Sequence, residues 1–335
     1  LTVMDFEDLS HLVPDTLATG ARYVQHRITP ENLAQTLSEY VSAGDLVIDL
    51  AWNIGAVDII QWCHDHDVMY INTSVELWDP YFDAENQPPT ERTLYVRHLK
   101  LREMARGWSM PGATAVIEHG ANPGLVSHWA KVALEDITRA MFTQTTLTPE
   151  RRTALEFALD TQDFPRLAML NGTKVIHISE RDTQISHQPK AVNEFVNTWS
   201  IKGLYEEGVA PAEMGWGTHE RTLPDGANIH THGPCNQICL SQMGVNTHVR
   251  SWVPKGGDII GMVIRHGEAF TLSDYLTVWE NNQPIYRPTV HYAYMPTDAA
   301  IMSLYEMRMM NYELQPNLRI MNDEIIDGMD ELGVL

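Results

Sequence analysis

The stretch DLVIDLAWNIGAVDIIQWCHDHDVMYINT, residues 45–73, decides the fold. DLVIDL is a short apolar run of the kind found in a strand covered on both faces. GAVDIIQWCHDH follows with a helical pattern, and VMYINT (68–73) is a second apolar run of strand length. A strand, a helix and a strand in so short a span imply parallel pairing through a right-handed crossover.

The same alternation extends in both directions. Upstream, LTVMD (1–5) reads as a strand, EDLSHLVPDTLA as helix or turn, and ARYVQH (21–26) as a second strand. A helix from PENLAQTLSEYV follows, with Pro30 near its start, where a missing N–H costs nothing. Downstream come a longer helix over ERTLYVRHLKLREMARG, a strand at ATAVIEHG (113–120) and a helix at PGLVSHWAKVALEDI (123–137) after the turn GANPG. Strands alternating with helices predict an α/β domain with a Rossmann-like parallel sheet over residues 1–145.

Such folds open with a strand, a glycine-rich loop and a helix, and an acid ending the second strand bonds the ribose hydroxyls. Asp5 is placed like that acid, but no glycine fingerprint precedes it, and GWGTHE (215–220) lacks both the third glycine and the strand–helix setting. The expectation is therefore a domain that lacks its first strand and phosphate loop. The end at DELGVL reads in the same way as a cut within a longer protein.

Near TQTTLTPERR (144–152) the pattern changes to strands with polar ends and irregular loops, which predicts a second, α+β substrate domain over residues 146–335. Its candidate strands are KVIHISER, EFVNTWSI, DIIGMVIRH and YRPTVHYAY, with one clear helix at TDAAIMSLYEMRMM.

Composition narrows the function. The net charge of −21 argues against nucleic acid, which needs clustered Lys and Arg. No apolar run has the length of a membrane span, and three cysteines (Cys63, Cys235, Cys239) fit a reducing cytoplasm. His230, His232, Cys235 and Cys239 crowd together in HTHGPCNQIC, but without the spacing of a zinc site; a structural loop without metal is expected.

The most informative block runs from His177 to Glu220. In what reads as strand and turn it sets Glu180, Asp182, Glu206, Glu207, Glu213 and Glu220 around Trp199 and Trp216. Carboxylates pair with ammonium groups and an indole face attracts organic cations, so the block suits a small polycation such as a diamine.

Eight strings in order along the chain carry a resemblance: NTSVELW (72–78), HGANPGLVS (119–127), ISERDTQ (178–184), FVNTWSIKG (195–203), AEMGWGTHER (212–221), VNTHVRSWVP (245–254), YRPTVHYAY (286–294) and EIIDGMDELGVL (324–335). Together they resemble the bacterial homospermidine synthases, within the saccharopine dehydrogenase-like superfamily. The resemblance implies an aminobutyl-transferring enzyme, usually a homodimer, that joins two putrescines into homospermidine with release of ammonia and uses NAD as a recycled prosthetic group.

It also implies roles. Trp199 is the cation–π platform, Glu207 pairs with the amine nearest the reacting carbon after a turn at Gly203, Glu180 binds substrate and Asp330 takes the distal amine. Glu206 is expected to be a solvated charge, Glu180 to end its strand beside Arg181, and the bland alternative for Asp330 is a surface helix charge. His266 is the proton-transfer candidate, with His291 as runner-up. Glu76 and Asn122 face nicotinamide and substrate; Asn53, Thr73, Asn122 and Asp5 contact the cofactor, and the Asp5 carboxylate favours NAD over NADP. A saccharopine or carboxy(nor)spermidine dehydrogenase-like NAD(P) oxidoreductase, whose carboxylate substrates need a basic clamp, and a polyamine binder without turnover are the alternatives.

Overall fold

A computed structural model of the chain describes residues 1–82, 86–144 and 146–335, in two compact units. The first comprises Leu1–Phe82 and Lys100–His119, the second Asp83–Leu99 and Gly120–Leu335. Thr145, at the expected boundary, lies outside the described residues; the helix Leu125–Gln144 belongs to the second unit.

The first unit has the parallel α/β pattern. Strands Thr2–Asp5 and Arg22–Gln25 pair in parallel, and Leu46–Asp49, Met69–Asn72 and Ala115–Val116 form a parallel three-stranded sheet in that order. The helix Ala56–Asp65 supplies the crossover between Leu46–Asp49 and Met69–Asn72 and buries Ile59, Ile60, Trp62 and Cys63. With Leu33, Leu37, Tyr70 and Val75 these make its core, whose burial is worth roughly 1.5–3 kcal/mol per large side chain. The strand expected over ATAVIEHG is only Ala115–Val116, and Asn72 takes over as a side-chain partner just beyond it, accepting from the Glu118 N–H at 2.8 Å.

The second unit is built on an eight-stranded mixed sheet. Its hub is Thr289–Met295, parallel to Val175–Asp182 along its whole length, with Tyr292 opposite Ile178 and Tyr294 opposite Glu180. Asp330–Val334 runs antiparallel on the other side of Val175–Asp182, with Leu332 opposite Glu180 and Asp330 opposite Asp182. Successive strand residues point to opposite faces, so Ile176, Ile178, Glu180 and Asp182 share one face with Val290, Tyr292, Tyr294 and Asp330. Ile176, Ile178, Val290, Tyr292 and Tyr294 pack there with Leu155, Leu167, Phe195 and Leu204 in the main core.

Several local expectations are corrected. The strand Val175–Asp182 continues past Glu180, and Arg181 turns to the opposite face to meet Asp298 at 3.6 Å and the Pro296 carbonyl. The strand expected over EFVNTWSI stops at Asn197, because the Ser200 hydroxyl accepts from the Gly203 N–H at 3.1 Å and starts the helix Ile201–Val209. Gly203 is thus inside a helix rather than at a turn. Besides the expected helix, found at Asp298–Met309, the unit contains helices Pro149–Asp160, Phe164–Asn171 and Gly267–Tyr275. Asp330 lies on a strand, not a helix.

Candidate active site

The second unit brings five of the expected residues together on the polar end of that sheet face. Glu180 forms the floor and is buried. Its Oε2 accepts from the Tyr292 hydroxyl and from Asn122 Nδ2, which also donates to the Tyr292 hydroxyl at 2.8 Å. Asn122 is presented by a tight turn closed by Gly120 N–H to Pro123 carbonyl at 2.7 Å, with a cis Asn122–Pro123 bond. Asp182 is buried beside Glu180 and accepts from the Thr198 hydroxyl at 2.9 Å; Asp330, opposite it, is exposed at the rim.

Aromatic rings wall this acidic patch. Tyr292 stacks on His266 at 4.2 Å between centroids and on Tyr294 at 5.6 Å, and Trp199 Nε1 donates to the Tyr294 hydroxyl at 2.8 Å. The Trp199 ring covers Gly203 so closely that a Cβ there would sit 2.9 Å from Cζ3, which is why glycine occupies this helical position. Glu207 lies one turn further along the helix on the same face and is half-buried.

The carboxyls of this patch are raised despite Arg181, whose charge acts on Asp182 without forming an ion pair to it. Burial, followed by the neighbouring Asp330 carboxylate, pushes Glu180 well above the usual carboxylate range. Asp330 and Asp182 are raised as well, each mainly by burial. Among the described residues, none of the three makes an ion pair, because Arg181 points away. Two carboxyls this close hold a proton between them more readily than two charges.

His266 precedes the helix Gly267–Tyr275 in extended conformation, with Nδ1 on Glu268 Oε2, and Glu268 Oε1 accepts from the Gly124 N–H at 3.0 Å. Burial would raise Glu268, but the adjacent His266 imidazole and these hydrogen bonds hold it below the ordinary carboxylate value. His291, next to Tyr292 on the same strand, faces the other side of the sheet, tilted against His177 at 4.2 Å, and burial depresses it to about 3.

The other acids of the His177–Glu220 block do not join the patch. Glu206, expected to be solvated, is buried and ion-paired to both Arg97 and Arg265. Burial alone would raise it, yet the two guanidinium groups hold it down at about 2. Glu213, fully buried, accepts the Leu94 N–H at 2.7 Å and the Tyr95 N–H at 3.3 Å at the start of the helix Leu94–Gly107. Glu220 accepts from the Thr289 hydroxyl, and Trp216 packs with Met214 and Ile238. In HTHGPCNQIC, His230 stacks on Tyr95 at 3.8 Å, Cys239 is buried in the strand Gln237–Met243 and Cys235 is exposed.

Of the expected cofactor residues, Asn122 belongs to the second unit, while Asp5, Asn53 and Thr73 belong to the first, at the carboxyl ends of its parallel strands, where ligands of such sheets bind. Asp5 ends Thr2–Asp5 and accepts from the Glu7 N–H at 2.9 Å. Asn53 follows Leu46–Asp49 with φ 64°, and its buried Oδ1 has no hydrogen-bond partner among the described residues. Thr73 and Glu76 follow Met69–Asn72; the Glu76 carbonyl accepts from the Ala56 N–H at 3.1 Å. Asp49, Tyr70 and Asn72 form a polar chain here that the sequence reading passed over: Tyr70 donates to Asp49 at 2.8 Å, and Asn72 to the Tyr70 hydroxyl at 3.1 Å. Tyr292, Tyr294 and Glu268 were passed over as well. The alternation within TVHYAYM, carrying two tyrosines of one parity towards Glu180, was the available signal for the first two.

Two families match successive parts of the chain. The family described as saccharopine dehydrogenase NADP binding domain matches residues 1–116, and that described as saccharopine dehydrogenase C-terminal domain matches residues 120–335. The homospermidine synthase of Blastochloris viridis is 39% identical over an alignment covering 100% of this chain and 68% of that protein. That of Mesorhizobium japonicum is 36% identical, with the same coverages. The crystal structure of the homospermidine synthase of Legionella pneumophila in complex with NAD superposes with a TM-score of 0.82 at 36% identity, over 99% of this chain and 67% of that one. Among the described residues no helix is long and apolar enough to cross a membrane. With both halves matched and whole-chain identity at this level, the chain belongs to the homospermidine synthase family, within the saccharopine dehydrogenase-like proteins.

Proposed function

We propose that the chain carries the catalytic machinery of an NAD-dependent homospermidine synthase acting on putrescine. The observation that carries this reading is the acidic patch of Glu180, Asp182 and Asp330, which has aromatic walls and no internal cation among the described residues. Buried carboxylates without a counter-ion are costly, and a diammonium ligand supplies the missing charge at both the floor and the rim.

In this reading Glu180 takes one ammonium at the floor and Asp330 the distal one at the rim. Trp199 offers its face to a cationic amine or imine, worth about 0.5–2 kcal/mol. Glu207, one turn beyond Gly203 under the Trp199 ring, pairs with the amine nearest the reacting carbon. Asn122 orients Glu180. With Nδ1 committed to Glu268, the His266 proton that moves to or from substrate is the one at Nε2.

The first unit fits NAD: the unpartnered Asn53 Oδ1, Thr73, Glu76 and Asp5 sit at the strand ends, and the Asp5 carboxylate suits a ribose with free hydroxyls rather than a 2′-phosphate. When bound, the nicotinamide would accept hydride from the carbon beside the amine and later return it. Among alternative reactions, those with carboxylate substrates need a basic clamp, and buried Arg97 and Arg265 are both spent on Glu206. The reading also places the protein in the cytoplasm as a homodimer without nucleic-acid partners.

Incubation of the purified chain with NAD and putrescine should yield homospermidine and ammonia, detected by mass spectrometry and an ammonia assay. Absence of both products, with no putrescine binding by calorimetry, would sink the reading.

A further inference from the structure

We propose that Glu268 is a positioning residue of this site: one carboxylate fastens the His266 imidazole and, at the same time, the turn that presents Asn122. Its two oxygens are divided between the two tasks. Oε2 meets His266 Nδ1, and Oε1 accepts from the Gly124 N–H at 3.0 Å, two residues beyond Asn122. Glu268 is 1% exposed, and a carboxylate so deep is tolerated only when its acceptor sites are filled by charged or backbone donors.

Its position in the chain makes this possible. Glu268 lies in the first turn of the helix Gly267–Tyr275, where the helix dipole favours a negative charge, and His266 immediately precedes the same helix. The imidazole is thereby held between a carboxylate at Nδ1 and the face of Tyr292, whose hydroxyl in turn binds Glu180 and Asn122. Arg265, its other charged neighbour, is turned to Glu206. An imidazole so constrained presents Nε2 in one direction, and Asn122 is held to Glu180 from the other end of the same carboxylate.

A helix-start charge with no further role would be replaceable by glutamine, which keeps the volume and the acceptor for Gly124. The positioning role predicts otherwise. A glutamine amide at Oε2 would donate to His266 Nδ1 and so force the opposite tautomer, with the proton on Nε2.

The test is Glu268→Gln in the full chain, with His266→Gln to assign the ring resonances. Histidine-selective nitrogen NMR should show His266 protonated at Nδ1 in the parent, and neutral with the proton at Nε2 in E268Q. Putrescine turnover by E268Q should fall by about 10²–10⁴-fold in kcat with KM changed less than about threefold, the range for a lost acid–base group. In an H266Q background, Glu268→Ala, which removes the acceptor for the Gly124 N–H, should cost a further several-fold, reporting the Asn122 turn. An unchanged His266 spectrum in E268Q would overturn the proposal, even for a chain that turned over no putrescine. An altered spectrum with parental kcat would overturn it too. The kinetic arm rests on the diamine reading; the spectroscopic arm does not.

Discussion

The second unit contains two clusters of carboxylates, each around a buried glutamate, that treat charge in opposite ways. Around Glu206, two guanidinium groups converge on one carboxylate, and its pKa is held down at about 2. Around Glu180, two further carboxylates converge, no ion pair compensates them among the described residues, and all three are raised. The first cluster is closed: its charge is satisfied by the fold and it ties the helices Leu94–Gly107 and Ile201–Val209 to the His266 segment. The second is open: its carboxyls have no ion-pair partner among the described residues, and on the proposed function the substrate supplies the cation. Buried acid by itself thus does not mark a binding site; on the proposed function, the missing counter-ion is the feature that does.

The largest expected effect tests the closed cluster. Glu206→Ala removes the carboxylate that the buried guanidinium groups of Arg97 and Arg265 share and should destabilise the protein by about 3–5 kcal/mol, read from urea unfolding. Its sign with pH follows from the depressed pKa. The stabilisation is complete above the ordinary value of 4.5 and is lost as pH falls towards about 2. A cost no greater than that of a surface substitution would erase the distinction between the clusters.

Glu180→Gln should do the reverse. Glutamine keeps an acceptor for Tyr292 and Asn122 and cannot ionise, so stability should hold or rise, while putrescine affinity falls by at least tenfold in calorimetry. A loss of stability like that of Glu206→Ala would make Glu180 structural.

The raised carboxyls also predict how binding responds to pH. A diammonium ligand prefers them ionised, so affinity should increase as pH rises from 5 towards the raised values of Glu180 and Asp330, with protons released on binding. Calorimetry in buffers of different ionisation enthalpy measures that release. With no ligand the sign is opposite: the unfolded chain loses these protons first, so the open cluster costs stability over the same rise in pH.

The smallest effect sharpens the aromatic wall. Gly203→Ala gains helix propensity of up to about 1 kcal/mol but puts a Cβ 2.9 Å from Trp199 Cζ3. Stability should therefore change little, while displacement of the indole weakens putrescine binding a few-fold. Unchanged affinity would remove Trp199 from the binding surface.

Much of this was legible in the chain. The strand–helix–strand rhythm around residues 45–73 predicted the parallel first unit, since local apolar spacing reports which face an element buries. Glu180, Asn122, Trp199, His266 and Asp330 were selected in the sequence by their motifs, and the fold gathers them on one sheet face. Glu206 was misread because its partners lie far away in the chain: Arg97 is 109 residues off and Arg265 is 59. Glu268 was missed because a carboxylate two residues from a histidine says nothing of whether the chain turns to let them meet.

The sequence by itself determined the elements, their alternation and which residue types could answer a polycation, because these follow from local periodicity and side-chain chemistry. Only the tertiary structure decided which carboxylates found arginines and which were left without. That outcome is set by strand register and by contacts between segments a hundred residues apart, for which no local pattern exists.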